Sequence, residues 1–131
     1  MNRNYDLTRI EEAMQDAVKA LGISRKVYCN RPKAVPDSVM DFVVVRVSGI
    51  LRDYEPYAEC SVSISLFAKD VENIKNGKKL SAMQRKLIDG LGGSYGSILL
   101  GRHPRVLGDT MDKFGFHARV IQFNNVTIKS V

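Results

Sequence analysis

The side chains able to carry covalent or acid–base chemistry are few in this sequence, and their spacing brings none of them together. Cysteine occurs at Cys29 and Cys60, and histidine at His103 and His117. Neither type shows the CxxC or close His/Cys spacing of a metal site. Cys60 falls in an apolar row, an environment that suppresses a thiolate. Cys29 lies near Arg25, Lys26 and Arg31; cations there would lower its pKa, but no base can be named beside it. Both cysteines are expected as reduced thiols rather than a disulfide. His117 is expected at the surface, on the polar side of a strand, and His103, before Pro104, in a loop. Ser61, Ser63 and Ser65 recur at every second position and lack a GxSxG elbow, so they read as a surface pattern. The segment GLGGSYG, residues 90–96, matches neither GxxxxGK[ST] nor GxGxxG. It also follows a helix, whereas both phosphate motifs follow a strand, and it is expected to be a helix exit. No catalytic residue, cofactor site or metal ligand is assigned.

The elements that would position these groups are easier to read. Leu7, Ile10, Met14, Ala17, Val18 and Leu21 form one apolar stripe at spacings of three and four, the mark of a helix buried on one side. Asp6, or a capping box of Thr8 and Glu11, can start it, and Gly22 stands at the exit. A short strand at 26–29 leads into a loop carrying Pro32 and Pro36. The stretch FVVVRVSGILRD, residues 42–53, is a β-branched strand in which Gly49 marks a candidate bulge. The turn at 53–56 returns the chain as AECSVSISLFAK, residues 58–69, whose apolar and polar residues alternate with Phe67 as the exception. Period two over that length signals a strand with one buried face. Asp70 is a candidate cap, and residues 70–76 are expected as a turn or short helical lead. A second one-sided stripe, Leu80, Met83, Leu87, Ile88 and Leu91, starts near Gly77 and ends at Gly90, Gly92 and Gly93. Short strands are expected at 97–100 and 105–107, a turn at GDTMDK, a long strand at 114–123 and a final short one at 126–128. The fold class is therefore α+β: an antiparallel, twisted sheet in a single domain over 1–131, with two α-helices on one face, in the order α-β-β-α-β-β plus extra short strands. The serine row lies on the uncovered face.

At 131 residues the chain can bury roughly two-thirds of its unfolded surface. It is 44% hydrophobic and 26% charged, with no tryptophan, the composition of a soluble globular domain. No apolar run approaches the ~20 residues of a membrane helix, so no membrane partner is expected. The opening MNRNYDLTRIEE has acids where a signal peptide has its apolar core, which implies synthesis in the cytosol. A net charge of +6 favours contact with a polyanion or an acidic surface. Lys75, Lys78, Lys79 and Arg85, on the second helix and its approach, are the candidate polyanion contact. An RRM-type aromatic pair is missing, which argues against base recognition.

The order of segments resembles the tail terminator, or tail completion, proteins of long-tailed bacteriophages and prophages. The likeness runs over nearly the whole chain. It comprises the opening one-sided helix, the proline loop RPKAVPDSVMD entering FVVVRV, the strand ECSVSISLFAKD, the helix with LSAMQRKLIDGL and the closing FGFHARVIQF. The resemblance implies a structural subunit, not an enzyme, made in the bacterial host cytoplasm and ending in the virion tail. It implies self-association into a ring, typically a hexamer, on the head-proximal end of the tail tube. Such a ring stops tube polymerisation, meets the tail-tube protein and the head–tail connector, and passes DNA through its lumen without sequence readout. A connector or stopper protein, or a basic α+β nucleic-acid-binding module, is the alternative. The loop at 31–41 and the hairpin tip at 52–57 would project towards neighbours, making Arg31, Pro32, Pro36, Asp37, Tyr54 and Tyr57 interface candidates. Arg46, Arg52 and Lys69 are candidates for ion pairs between subunits, each worth about 0–1 kcal/mol at an exposed rim.

Overall fold

A computed structural model describes residues 7–30, 32, 35–53, 57–91, 94–95, 98–99, 104–112 and 115–129. In chain order the elements are α1 (Leu7–Ala20), β1 (Val27–Tyr28), β2 (Asp41–Asp53), β3 (Tyr57–Lys69), α2 (Gly77–Leu91), β4 (Ser94–Tyr95), β5 (Ile98–Leu99), β6 (Arg105–Val106), β7 (Thr110–Met111) and β8 (Phe116–Lys129). The α+β class and the two helices on one face of a sheet are as the periodicities predict.

Helix α1 buries Ile10, Met14, Ala17 and Val18 of the predicted stripe, while Leu7, in the first turn, is exposed. It stops where Gly22 takes a left-handed backbone (φ 69°), a conformation that costs a residue with a Cβ. Asn76 is the cap of α2: its Oδ1 accepts the Lys79 amide at 3.2 Å, and its carbonyl accepts that of Leu80 at 3.2 Å. Asp70, the expected cap, instead hydrogen-bonds His117. Asn76→Ala is expected to cost about 1 kcal/mol, seen as a melting point lower by a few degrees. Of the turn or short helical lead expected before α2, the structure shows the turn, closed as a miniature hairpin. Val71 and Ile74 exchange both backbone hydrogen bonds at 2.9 Å around Glu72 (φ 51°) and Asn73 (φ 64°). Two left-handed central residues define the turn type that matches strand twist. At Gly90 a Cβ would stand 2.5 Å from Leu21 Cδ2, so the glycine leaves room on α2 for the side chain that follows α1.

The sheet is mixed rather than wholly antiparallel, because β1 lies parallel to β2 (Val27 beside Val43). Its long strands follow the order β2-β3-β8. β2 and β3 form the predicted hairpin, with a register shift between Ser48 and Arg52 near the glycine expected to bulge. The serine-alternating strand β3 is central, not an edge, since β8 pairs along its other side. β8 also runs unbroken where two strands were expected at 114–123 and 126–128. A bulge in the pairing between Cys60 and Val62 absorbs the irregularity. The far edge of β8 is covered in stretches by β5, β6 and β7, so part of GDTMDK is strand rather than turn. β4 and β5 pair with each other, which puts a strand inside the glycine-rich helix exit.

One face of the sheet packs on the helices. Val43, Val45, Val62, Ile64, Leu66, Ile121 and Phe123 meet Met14, Val18, Leu80, Met83 and Leu87 there. The opposite face departs from the expectation of an uncovered, hydroxyl-lined surface. Near one end Phe42, Val44, Phe67, Phe116 and Ala118 form a second buried cluster, covered by Tyr28, Val35 and Val39. The proline loop crosses that end and removes the aromatic rings from water. Only the other half of the face keeps the serines at its surface.

Candidate functional surface

Two polar arrangements and one strand edge are candidates for function. The first lies on the helix-covered side, beyond the apolar core. Alternation along β8 puts His117 and Arg119 on the same side as Ile121 and Phe123, facing α2. Arg119 forms a two-pronged pair with Asp109, Nε to Oδ1 at 2.6 Å and Nη2 to Oδ2 at 2.8 Å. Its Nη1 donates to Ser81 Oγ at 3.0 Å and Gln84 Oε1 at 2.8 Å, tying β8 to α2. Lys75 Nζ completes the group, 3.0 Å from Asp109 Oδ2. The hydrogen bond from Arg119 outweighs burial and, with Lys75, lowers the Asp109 pKa to about 2. The same bond raises that of Arg119. Both side chains are nearly buried (14% and 9% exposed), so the pair is well shielded from water.

Close to this group, His117 Nδ1 is 2.7 Å from Asp70 Oδ1, with both side chains largely buried. An ionised carboxylate only accepts, so the imidazole donates. His117 was expected at the surface. Its side of β8 looked polar only because His117 and Arg119 precede Ile121 on it, and following the alternation two residues further corrects the reading. A carboxylate-oriented imidazole is half of an acid–base pair. Among the described residues no group of three or more His, Cys, Asp or Glu could hold a metal ion.

The second arrangement is the polar half of the other face, set by register. Arg46 on β2 lies beside Ser63 on β3, Ser63 beside Gln122 on β8, and Gln122 beside Arg105 on β6. Next to this row Ser61 Oγ donates to Asn124 Oδ1 at 3.5 Å. Arg52 lies beside Glu59 further along. Arg105 was not singled out from the sequence, because only pairing of a two-residue strand with β8 brings it to this face.

The strand edge is that of β2. β1 covers it at Val43 and Val44, and the Val47 amide donates to Glu11 Oε2 at 3.1 Å. A helix side chain thus occupies a position that a further strand would otherwise take.

The remaining candidates sort as follows. Arg31, Tyr54 and His103 lie outside the described residues, as do Asp6 and Phe114. Pro36 and Asp37 are exposed and Pro32 and Tyr57 half-buried. Lys69 and Asp37 come together within the chain, Nζ donating to the Asp37 carbonyl at 3.1 Å. The proposed polyanion group is divided: Lys75 pairs with Asp109 and Lys79 with Asp41 at 3.1 Å. Lys78 and Arg85 stay exposed on α2. The cations near Cys29 do not lower its pKa: burial and then the carboxylates of Glu11 and Glu12 raise it. Its Sγ contacts Gln15 Oε1 at 3.4 Å. Cys60 is buried as expected, with its pKa raised to about 11. Both thiols are free.

No protein-family model matches the chain, and no curated protein matches it. No helix among the described residues is long and apolar enough to cross a membrane.

Proposed function

We propose that this chain is a structural subunit of a bacteriophage or prophage tail, assembling as a ring that ends the tail tube and joins it to the head. The observation that carries the reading is the order of its segments: a one-sided helix, a proline loop, a long hairpin, a second helix and a closing strand. The fold gives that order a rationale for assembly. Both helices are spent on one face of the sheet, and the loop at 35–40 is at the surface. The edge of β2 beyond Val47 is not paired with another described strand. Exposed Met40, Val71, Ile74 and Met111 add apolar contact area at the end of the sheet where β3 finishes and β8 begins. Interfaces between subunits use such residues at their centres.

The test is the mass of the protein in solution, alone and mixed with a candidate tail-tube protein from the same genome. Light scattering should reveal a ring in at least one condition, and electron microscopy should place it on one end of the tube. A chain that stays monomeric in both conditions and leaves tube length unchanged would sink the reading.

A further inference from the structure

We infer that the row Arg46–Ser63–Gln122–Arg105 is a contact site for the sugar-phosphate backbone of duplex nucleic acid, read without regard to sequence. Register places the four residues side by side on one face of four adjacent strands. At a strand spacing of about 4.8 Å, the two arginine Cα atoms stand about 14 Å apart, the rise of about four base pairs. Both arginines are exposed, and neither has a carboxylate partner among the described residues. The rows on either side, Ser61 with Asn124 and Val44 with Ser65 and Val120, carry no acid. The row therefore offers two cationic forks with the Gln122 carboxamide between them, donor types that hold phosphate oxygens.

The same chemistry excludes the other occupants. A second copy laid face to face on this row would set arginine against arginine, so the surface is not self-complementary. An acidic protein would need an apolar or aromatic anchor at the centre of its contact, and the centre here is serine and glutamine. A single strand would need open rings to stack on. Phe42, Phe67 and Phe116 share the face but are buried, and half-buried Tyr57 lies three residue pairs from the row. Polar, positive and unanchored, the surface matches a duplex backbone. It lies on the face opposite α2, so it is distinct from the helix-borne lysines, two of which are neutralised within the chain.

The inference rests on register and exposure within one chain and holds for a monomer. It does not depend on the tail reading, and each can fail without the other. The experiment is fluorescence anisotropy of a mixed-sequence duplex of about 20 base pairs, titrated from about 50 to 200 mM salt, the range over which phosphate contacts separate. The full chain is expected to bind at low salt. R46Q and R105Q should each weaken binding about tenfold at the low-salt end and reduce the log–log salt slope by about one, equally for different sequences. Both sites are exposed, so unchanged melting points would show that the variants fold. The double variant K78Q/R85Q on α2 should stay within about twofold of the parent. The assignment is overturned by absence of binding at low salt, by loss of binding in K78Q/R85Q instead, or by polyglutamate competing as well as duplex.

Discussion

Phe42→Ala is expected to destabilise the protein by about 3–5 kcal/mol, the range for emptying a fully enclosed aromatic site. Phe42 has no exposed surface. It stacks on Phe67 with ring centroids 4.3 Å apart and planes 8° from parallel, and it meets Phe116 edge-on at 5.1 Å. Tyr28 caps it from the proline-loop side at 6.0 Å. Removing the ring deletes contacts with three strands and the covering segment at once, and β-sheet backbone leaves little scope for collapse into the void. Urea unfolding should show the midpoint fall with an unchanged slope, and limited proteolysis should show new cleavage within 28–40. Phe42→Leu, which keeps most of the volume, should lose much less. A cost below about 1 kcal/mol for the alanine variant would mean that this half of the face is not a core.

The second large effect concerns Asp109. Asp109→Asn removes the charge facing Arg119 and Lys75 and leaves a nearly buried guanidinium without its carboxylate. Breaking such a pair from one side costs about 3 kcal/mol when burial is deep. The sign of the pH dependence follows from the lowered pKa. Asp109 ionises at about 2 in the folded chain, against an ordinary value of 3.8. The unfolded chain therefore takes up the proton first as pH falls. The stabilisation is complete above about pH 5 and is lost progressively as pH falls through about 4 to 2. It amounts to about 2 kcal/mol for a shift of this size. Thermal melts of the parent should drop across that window, and Asp109→Asn should flatten this part of the profile while lowering stability at neutral pH. Identical acid limbs for the two proteins would exclude the pair as a source of stability.

Both effects reside in features that were only partly legible in the chain. The stripe of Ile10, Met14 and Val18 and that of Leu80, Met83 and Leu87 identify the helices and their buried sides. Valine-rich β2 and serine-alternating β3, joined by a short turn, identify the hairpin. These are local signals, because a helix or strand with one apolar side shows its own period whatever it packs against. The same period also gave the inward direction of Val62, Ile64 and Leu66. Phe67 broke the alternation and was a sign of a second core, yet its partners Phe42 and Phe116 belong to other strands.

What covers each face, and which charges meet, was decided in three dimensions. Tyr28 and Val35 close over the aromatic rings because the proline loop folds back across β2, a path that no period in residues 29–40 encodes. His117 finds Asp70 across 47 residues, and Arg119 finds Ser81 across 38. A contact at such separation depends on strand register and on where α2 comes to rest. The basic group of Lys75, Lys78, Lys79 and Arg85 shows the same limit: its charges were plain in the chain, but the pairing of Lys75 with Asp109 and of Lys79 with Asp41 was not. Sequence determined the elements and their apolar sides, because backbone geometry repeats every few residues. Tertiary structure alone decided the second core, the paired charges and the four-residue row, because each depends on register between distant segments.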